Sequence, residues 1–399
     1  MVDPRIGKLA DILIHYSFER VNFREAWEKE KKFLWLRYES PADELAQTIT
    51  NMVLDEGGYV LAEQTPSWLR RSLLTRAYED VLRTTPDEYL YKFSRTAARL
   101  IIHSSPNTKV LASVKPERRT MENEAYGPLL EKILKTDEKG EFLTPWCLTM
   151  SPTNGYAQDM GMSLEECADY IYNAMFLDEK NPVKVWKRIA RDQRRMIRKY
   201  LRKAKTLEII DPNNGTKLKM NIEGHRWIPS DGHVNFPSDE IFTAPRKETV
   251  NGVLNLGDIP QYDHGSQEVS GIKLRFRDGR LVEYDARVGK DYLEEFLKNE
   301  GALYLGEASF GRHPRIDRIT QEILLDEKRG GFFHVALGRA YPLHVPGEGD
   351  RSGLNESRVH WDLLKDMRDP TAFVLIDDRY KFTWDEETKK WSVLDLHPT

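Results

Sequence analysis

Cysteine, long apolar runs and a strong charge imbalance are the features that this sequence lacks. Its 399 residues include only Cys147 and Cys167, which do not form a CxxC pair, so neither a disulfide framework nor a thiolate metal site is indicated. No run approaches the roughly 18 apolar residues of a membrane helix, and no basic-then-apolar leader opens the chain. The formal net charge of −4 gives no reason to expect a nucleic acid or a membrane partner. We therefore expect a cytoplasmic protein that binds neither.

Length and patterning predict two domains. Hydrophobic residues make up 40% of the chain, enough for sizeable cores, and 399 residues are more than one core usually organises. In the first half, short apolar runs alternate with helical patterns, which is typical of an α/β layer. The runs of strand length include residues 33–36, 59–62, 100–104 and 109–113. From Thr206 onward, polar and apolar residues alternate around turn clusters, which indicates hairpins. We predict an α/β N-terminal domain over residues 1–205 and a β-rich α+β C-terminal domain, carrying the metal site, over residues 206–399.

A basic segment near the predicted boundary raises the question of nucleic-acid binding. Ten Lys or Arg residues lie between Lys187 and Lys205, and apolar residues recur among them at helical spacing. The segment carries no interleaved exposed aromatics, and the whole chain is slightly acidic. A solvated helix face, or a helix that pairs with acidic neighbours, is the favoured interpretation.

Two histidines and an aspartate form the strongest candidate for a functional site. His334 interrupts an apolar run that otherwise has the pattern of a buried strand. His360 and Asp362 are two residues apart, so in an extended chain both side chains project from one face and can reach one ion. Imidazole nitrogen and carboxylate oxygen suit Zn²⁺, Co²⁺ or Mn²⁺. Taken singly, each histidine also fits an ordinary core or surface position, and spacing alone does not decide between these interpretations.

Carboxylates that could complete a metal site lie in the same half of the chain. Glu240 stands in a proline-bounded segment, and Glu307 follows a glycine in an apolar environment. A lone acid in such a setting is costly to bury unless it is paired or bound to a metal. Each also fits an ordinary loop acid. Two histidines and three carboxylates are what two divalent ions sharing a bridging water would need.

Several segments together resemble the thermophilic aminopeptidase family, the two-metal exopeptidases of the T and S types. They include Gly224-His-Arg-Trp-Ile228, Asn235-Phe-Pro-Ser-Asp-Glu240, Leu305-Gly-Glu307, His334-Val-Ala-Leu-Gly338, Ala340-Tyr-Pro342 and His360-Trp-Asp362. The resemblance is dense from about residue 145 to 365 and loose from about 18 to 140. Two departures stand near the candidate site: Asp239 replaces the family's usual glycine, and Arg312-His313 replaces a small polar pair.

The resemblance implies an enzyme that removes N-terminal residues from short peptides with two divalent ions, Zn, Co or Mn. Carried over position by position, the metal ligands would be Glu240, Glu307, His334, His360 and Asp362. Glu307 would bridge the two ions and take part in catalysis, and Tyr341 would stand beside them as a catalytic hydrogen-bond donor. No residue is identified as a separate general base. The resemblance also implies a homodimer whose C-terminal domains enclose the active sites, and it implies no nucleic acid and no membrane partner.

Two alternatives remain open at this point. His334, His360 and Asp362 have the composition of a mononuclear iron(II) site, so the chain could be a ring-cleaving dioxygenase of the dihydroxypyridine type. Glu240 and Glu307 would then be surplus, which favours the two-metal interpretation. A catalytically silent homologue that binds peptides is the other alternative, although no expected ligand is missing from the sequence.

Overall fold

The structure is a computed structural model that describes residues 3–262, 267–347 and 349–398. Its α-helices are α1 (Pro4–Ile12), α2 (Phe23–Glu28), α3 (Asp43–Asp55), α4 (Ser67–Arg76), α5 (Glu79–Leu82), α6 (Asp87–Ser94), α7 (Pro116–Ala125), α8 (Gly127–Ile133), α9 (Asn154–Met160), α10 (Leu164–Ala174), α11 (Pro182–Met196), α12 (Lys290–Phe296) and α13 (Ile323–Asp326). Short π-helical turns at Leu13–Ser17 and Ile197–Leu201 extend α1 and α11.

The strands follow in chain order. They are β1 (Phe33–Tyr38), β2 (Val60–Gln64), β3 (Thr96–His103), β4 (Trp146–Met150), β5 (Thr206–Asp211), β6 (Thr216–Asn221), β7 (Ile228–Ser230), β8 (Asn235–Phe236), β9 (Glu240–Thr243), β10 (Asn251–Gly257), β11 (Gln261–Tyr262), β12 (Glu268–Val269), β13 (Ile272–Arg277), β14 (Arg280–Asp285), β15 (Leu305–Gly311), β16 (Phe332–Gly338), β17 (His360–Asp366), β18 (Phe373–Ile376), β19 (Tyr380–Asp385) and β20 (Lys390–Asp395).

The described residues form two compact units. The first contains those within Met1–Lys135, Phe142–Ile189 and Asp231–Ser238, and the second contains those within Thr136–Glu141, Ala190–Ser230 and Asp239–Thr399. The division into domains at residues 1–205 and 206–399 stays a prediction.

The first unit is an α/β layer, as the sequence predicted. Its five strands are parallel in the order β2-β1-β3-β4-β8, with helices in the connections. Strand β1, which has a neighbour on each side, is buried over Leu34, Trp35 and Leu36, which is the apolar pattern of a parallel strand covered on both faces. Helix ends follow local chemistry: Asp3 caps α1, and Ser163 forms a capping box with Glu166 at the start of α10.

The second unit is β-rich, which confirms the predicted fold class. One sheet has eight antiparallel strands in the order β14-β13-β10-β6-β5-β18-β19-β20. A second has five antiparallel strands in the order β17-β16-β15-β9-β7. A single core cluster joins side chains of both sheets, among them Leu254, Phe310, Val335 and Phe382. Because one face of each sheet is fixed in this core, the register of the strands is strongly specified. The other face of the five-stranded sheet is therefore available for a site.

One predicted strand is wrong. Residues 109–113 form consecutive turns and belong to no sheet, although Val110, Leu111 and Ala112 have the composition of a short strand. A run of three apolar residues can equally cover a small cluster, and Leu111 packs here against buried Leu74, Leu82 and Val114. None of the helices among the described residues is both long and apolar enough to cross a membrane.

Candidate metal centre

All five predicted ligands lie on one face of the five-stranded sheet. Antiparallel pairing places Asp362 opposite Ala336, and His334 opposite Ser309. Directly paired residues share a face and so do residues two apart, so β15, β16 and β17 present their alternate side chains together. Glu240 joins this face because it pairs with Gly311. Strands that are distant in sequence thereby bring their polar side chains to one place.

Glu307 reaches this face because of a bulge. Leu305 pairs with Leu337, but Glu307 pairs with Ala336, so Gly306 is an extra residue in β15. In regular pairing Glu307 would be opposite Val335 and would point into the apolar core. The bulge brings the backbone close to the next strand, since a Cβ at Gly306 would lie 2.3 Å from the carbonyl carbon of Arg339. A residue with a side chain does not fit there.

His334 is the centre of one group of ligand atoms. Its Nε2 lies 3.2 Å from Oε1 of Glu307 and 3.4 Å from Oε2 of Glu240, and its side chain has no exposed surface. Ser309 Oγ donates to the same Glu240 oxygen at 3.1 Å. Potential ligand atoms of Glu240, Glu307 and His334 all lie within 4.8 Å of one another. This is a compact set of one nitrogen and two oxygens for a divalent ion.

His360 is the centre of a second group. Its Nε2 lies 3.2 Å from Oδ1 of Asp362 and 3.8 Å from Oε2 of Glu307. Its Nδ1 donates to the backbone carbonyl of Arg339 at 2.8 Å, so in the neutral ring Nε2 carries a lone pair. Lone pairs of Nε2 and of two carboxylate oxygens then face one another. A proton or a metal cation must lie among them, and the N and O donors suit a metal.

Glu307 connects the two groups. Its Oε1 is nearer to His334 and its Oε2 is nearer to His360, while its side chain is only 6% exposed. Burial raises the pKa of this carboxyl above its ordinary value, although the two imidazoles act in the opposite direction. A carboxylate whose two oxygens face different nitrogen donors has the arrangement of a bridging ligand.

The two imidazoles also have shifted pKa values. Burial on its own would lower the pKa of His360, but Asp362 and Glu307 outweigh it and raise the pKa to about 9. For His334, burial is again the largest opposing influence, and the surrounding carboxylates still raise the pKa. The metal-free centre therefore holds protons where metal cations would otherwise balance the negative charge.

Tyr341 stands beside the second group. Its ring centre is 5.3 Å from that of His360, and Phe242 packs edge-on against it at 6.5 Å. Burial, together with the negative charges of Glu307 and Asp362, raises the pKa of the Tyr341 hydroxyl. The phenol therefore stays protonated and can donate a hydrogen bond at any working pH.

Two residues that the sequence interpretation did not select also lie in the centre. Glu327 forms a second set of potential ligand atoms with His334 and Asp362, all within 4.8 Å. Lys328 has no exposed side-chain surface and forms ion pairs with Glu327 and, at 3.1 Å, with Oε1 of Glu240. Both follow α13, whose last residue, Asp326, accepts hydrogen bonds from the backbone N–H groups of Thr320 and Gln321 in the preceding loop. A sequence signal for them exists: Glu327 and Lys328 are two ionisable residues directly after an apolar helical turn, and they precede His334 by seven and six positions.

The departure at Asp239 has a structural explanation. This residue has φ of +97°, a backbone conformation that favours glycine. Its Oδ1 accepts a hydrogen bond from Nε2 of Gln193 at 2.9 Å and lies 3.4 Å from a guanidinium nitrogen of Arg312. These partners compensate the buried carboxylate, so the two departures at Asp239 and Arg312 belong to one contact.

The chain is similar to known proteins over nearly its whole length. A family model described as thermophilic metalloprotease (M29) matches residues 2–373. Aminopeptidase 2 of Geobacillus stearothermophilus is 29% identical over 298 residues, which cover 67% of this chain and 70% of that protein. Aminopeptidase T of Thermus aquaticus is 28% identical over 345 residues, 79% of this chain and 78% of that protein. The solved structure of wild-type AmpT from Thermus thermophilus superposes with a TM-score of 0.74 at 26% identity, covering 98% of this chain and 97% of that one.

Proposed function

The chain belongs to the thermophilic metalloprotease (M29) family, and from that membership we propose that it is a metal-dependent aminopeptidase acting on short peptides. Relatives that carry the name aminopeptidase match two thirds or more of the chain. The ligands we propose are Glu240, Glu307, His334, His360 and Asp362. We propose two divalent ions per chain, of Zn, Co or Mn.

The observation that carries the two-ion proposal is the orientation of Glu307. Its Oε1 faces His334 and its Oε2 faces His360, at 3.2 and 3.8 Å. A carboxylate that served one ion would not need an imidazole at each oxygen. Glu240 and Asp362 supply one further oxygen to each half, so each ion would have three protein ligands and room for water and substrate.

Each group of the centre would have a separate role in peptide hydrolysis. Bound divalent ions would acidify a water and polarise the scissile carbonyl. The Tyr341 hydroxyl would donate a hydrogen bond to the carbonyl oxygen as negative charge develops on it. The Glu327 carboxylate, which the resemblance does not assign as a ligand, would accept the proton of the water and pass it to the leaving amine. The buried walls of the centre would exclude bulk water and strengthen these interactions.

The free amine of the substrate would be the specificity element. An unprotonated α-amine is a nitrogen donor of the kind that completes such a centre. Its position beside the scissile carbonyl would limit cleavage to the first peptide bond. We further propose that the protein is a cytoplasmic homodimer that encloses its active sites, so hydrolysis should slow as the peptide lengthens and folded proteins should resist it.

The ring-cleaving dioxygenase alternative uses fewer of these residues. A mononuclear iron(II) site would take His334, His360 and Asp362. It would leave buried Glu240, 3.4 Å from Nε2 of His334, without a role in the centre. The silent peptide-binding alternative predicts peptide binding without turnover. Both alternatives are decided by the same experiment.

The experiment combines metal reloading with two matched substrates. Chelator-treated protein is reloaded with Co²⁺, Zn²⁺ or Mn²⁺ and given leucine 4-nitroanilide or its N-acetylated form. The proposal predicts metal-dependent release of nitroaniline from the free amine alone, lost in Glu307→Gln. Hydrolysis of both substrates, or of neither, would contradict it. Iron-dependent oxygen consumption with a dihydroxypyridine would favour the dioxygenase.

A further inference from the structure

Lys328 is a fully buried cation inside the proposed metal centre. Its ammonium forms ion pairs with Glu327 and, at 3.1 Å, with Oε1 of Glu240, and its side chain has no exposed surface. Burial would raise the pKa of the Asp362 carboxyl, but His360 and His334 lower it, and Lys328 adds to that lowering. Its backbone is fixed, because the N–H of His313 donates to its carbonyl at 2.8 Å. A buried ammonium among carboxylates therefore belongs to the architecture of the site.

The ammonium acts on one half of the centre. Glu240 presents Oε1 to Lys328 and Oε2 to His334, so only one of its oxygens remains for an ion. Glu307, His360 and Asp362 form the other half, and among the described residues no Lys or Arg nitrogen lies within 4.0 Å of their charged groups. The two halves therefore differ in their electrostatic surroundings although their ligand types are alike.

A fixed positive charge lowers the affinity for a nearby metal cation. The repulsion between an ammonium and a divalent ion is weakly screened where water is excluded. The ammonium also occupies a carboxylate oxygen that an ion would otherwise bind, and moving it away would leave a buried charge without its partners. The repulsion also reaches the Asp362 half, where Lys328 helps to lower the carboxyl pKa, but the loss of a carboxylate oxygen affects the Glu240 half alone.

We propose that Lys328 makes the two metal positions unequal. The position formed by Glu307, His360 and Asp362 holds its ion tightly. The position formed by Glu240, Glu307 and His334 binds an ion weakly, because Lys328 competes with it for Glu240. This inference rests on the proposed two-metal function and specifies how the centre fills: one resident ion first, and a second only when free metal is abundant.

The test is a titration of the chelator-treated protein with Mn²⁺, monitored by calorimetry and electron paramagnetic resonance. Isolated Mn²⁺ gives a six-line spectrum, whereas an adjacent coupled pair gives a different multiline spectrum. We expect two classes of site whose dissociation constants differ at least about tenfold, about 1.4 kcal/mol. The coupled spectrum should appear only as the weaker class fills.

Variants at Lys328 assign the difference to this residue. Lys328→Met keeps the length of the side chain without its charge and should tighten the weaker class at least about tenfold, and the tighter class by less. Lys328→Arg keeps the charge and should leave the weaker class weak. Lys273→Met removes an exposed lysine of β13 and serves as the matched control, with no expected change.

Two sites with equal dissociation constants in the natural chain would overturn the inference, and that result does not depend on any variant folding. Tightening in Lys328→Arg, or an unchanged weaker class in folded Lys328→Met, would also overturn it. Two sites with equal dissociation constants, together with amine-dependent nitroanilide hydrolysis, would leave the proposed function intact. The absence of any bound Mn²⁺ would overturn this inference, whereas the proposed function would be overturned only if Zn²⁺ and Co²⁺ did not bind either.

Discussion

Replacing Gly306 by alanine tests how the fold builds the centre. Gly306 is the extra residue that turns Glu307 from the core face of β15 to the face of His334. The new Cβ would lie 2.3 Å from the carbonyl carbon and oxygen of Arg339 and from the carbonyl oxygen of Gly338. All three are backbone atoms of the strand end next to β15, so no flexible side chain can move aside. The strand must shift or lose its bulge.

The expected magnitude follows from this displacement. Relieving contacts of 2.3 Å requires movement approaching 1 Å, and a misplacement of about 1 Å at a reacting centre costs roughly 10²-fold in rate. That factor corresponds to about 2.7 kcal/mol of transition-state stabilisation. Overpacking should also lower the free energy of unfolding by about 1–3 kcal/mol. We therefore expect a folded protein with much weaker metal binding and activity.

The assay measures three quantities in Gly306→Ala: kcat/KM for leucine 4-nitroanilide, bound metal, and the thermal midpoint. Gly7→Ala is the matched control, because a Cβ at Gly7 of α1 meets nothing within 4 Å. Alanine in a helix interior should keep or slightly raise stability there. Full activity and metal content in Gly306→Ala would refute the view that the bulge positions Glu307.

Three further predictions follow from the same centre. Tyr341→Phe keeps the buried ring and removes one donor, so kcat should fall roughly 10²–10³-fold, about 2.7–4 kcal/mol, with metal content unchanged; loss of metal instead would indicate a structural role. Phe310→Ala removes a fully buried ring whose centre lies 4.9 Å from that of Phe333 and 5.0 Å from that of Trp391. The free energy of unfolding, measured in urea, should fall by about 3–5 kcal/mol, and a change below about 1 kcal/mol would contradict the described core. In the metal-free protein His360 holds a proton below its pKa of about 9, so a binding ion must displace it, and the metal affinity of this half should rise about tenfold per pH unit until that pKa is passed. Calorimetry at pH 7.5 in buffers of different ionisation enthalpy should show about one proton released per ion bound at this half, and no release would contradict the assignment of His360 as a ligand.

The spacing of two residues along a strand predicts which candidate ligands lie on the same face of the sheet. His360 and Asp362 are two apart, and the structure places both on one face of β17. The sequence also predicts His334 to interrupt a buried strand, and it lies on fully buried β16. Alternation along a strand is a local property that the sequence shows directly, so these placements are predictable, while the role of the residues as metal ligands stays a prediction.

The positions that could not be predicted depend on contacts between distant segments. The bulge that orients Glu307 requires the register of β15 against β16, which alternation within β15 does not reveal. Glu327 and Lys328 lie in a loop, and their approach to Glu240 depends on how that loop folds back after α13. The wrong strand at residues 109–113 has the same origin, because a short apolar run does not specify its partners.

Anomalous scattering from crystals of this chain soaked in excess Zn²⁺ would locate the bound ions. We expect two peaks at the zinc absorption edge, one among Glu240, Glu307 and His334 and one among Glu307, His360 and Asp362. Glu307 should be the residue that both peaks share. The absence of zinc from this face of the sheet, or zinc bound only elsewhere, would contradict the two-ion centre.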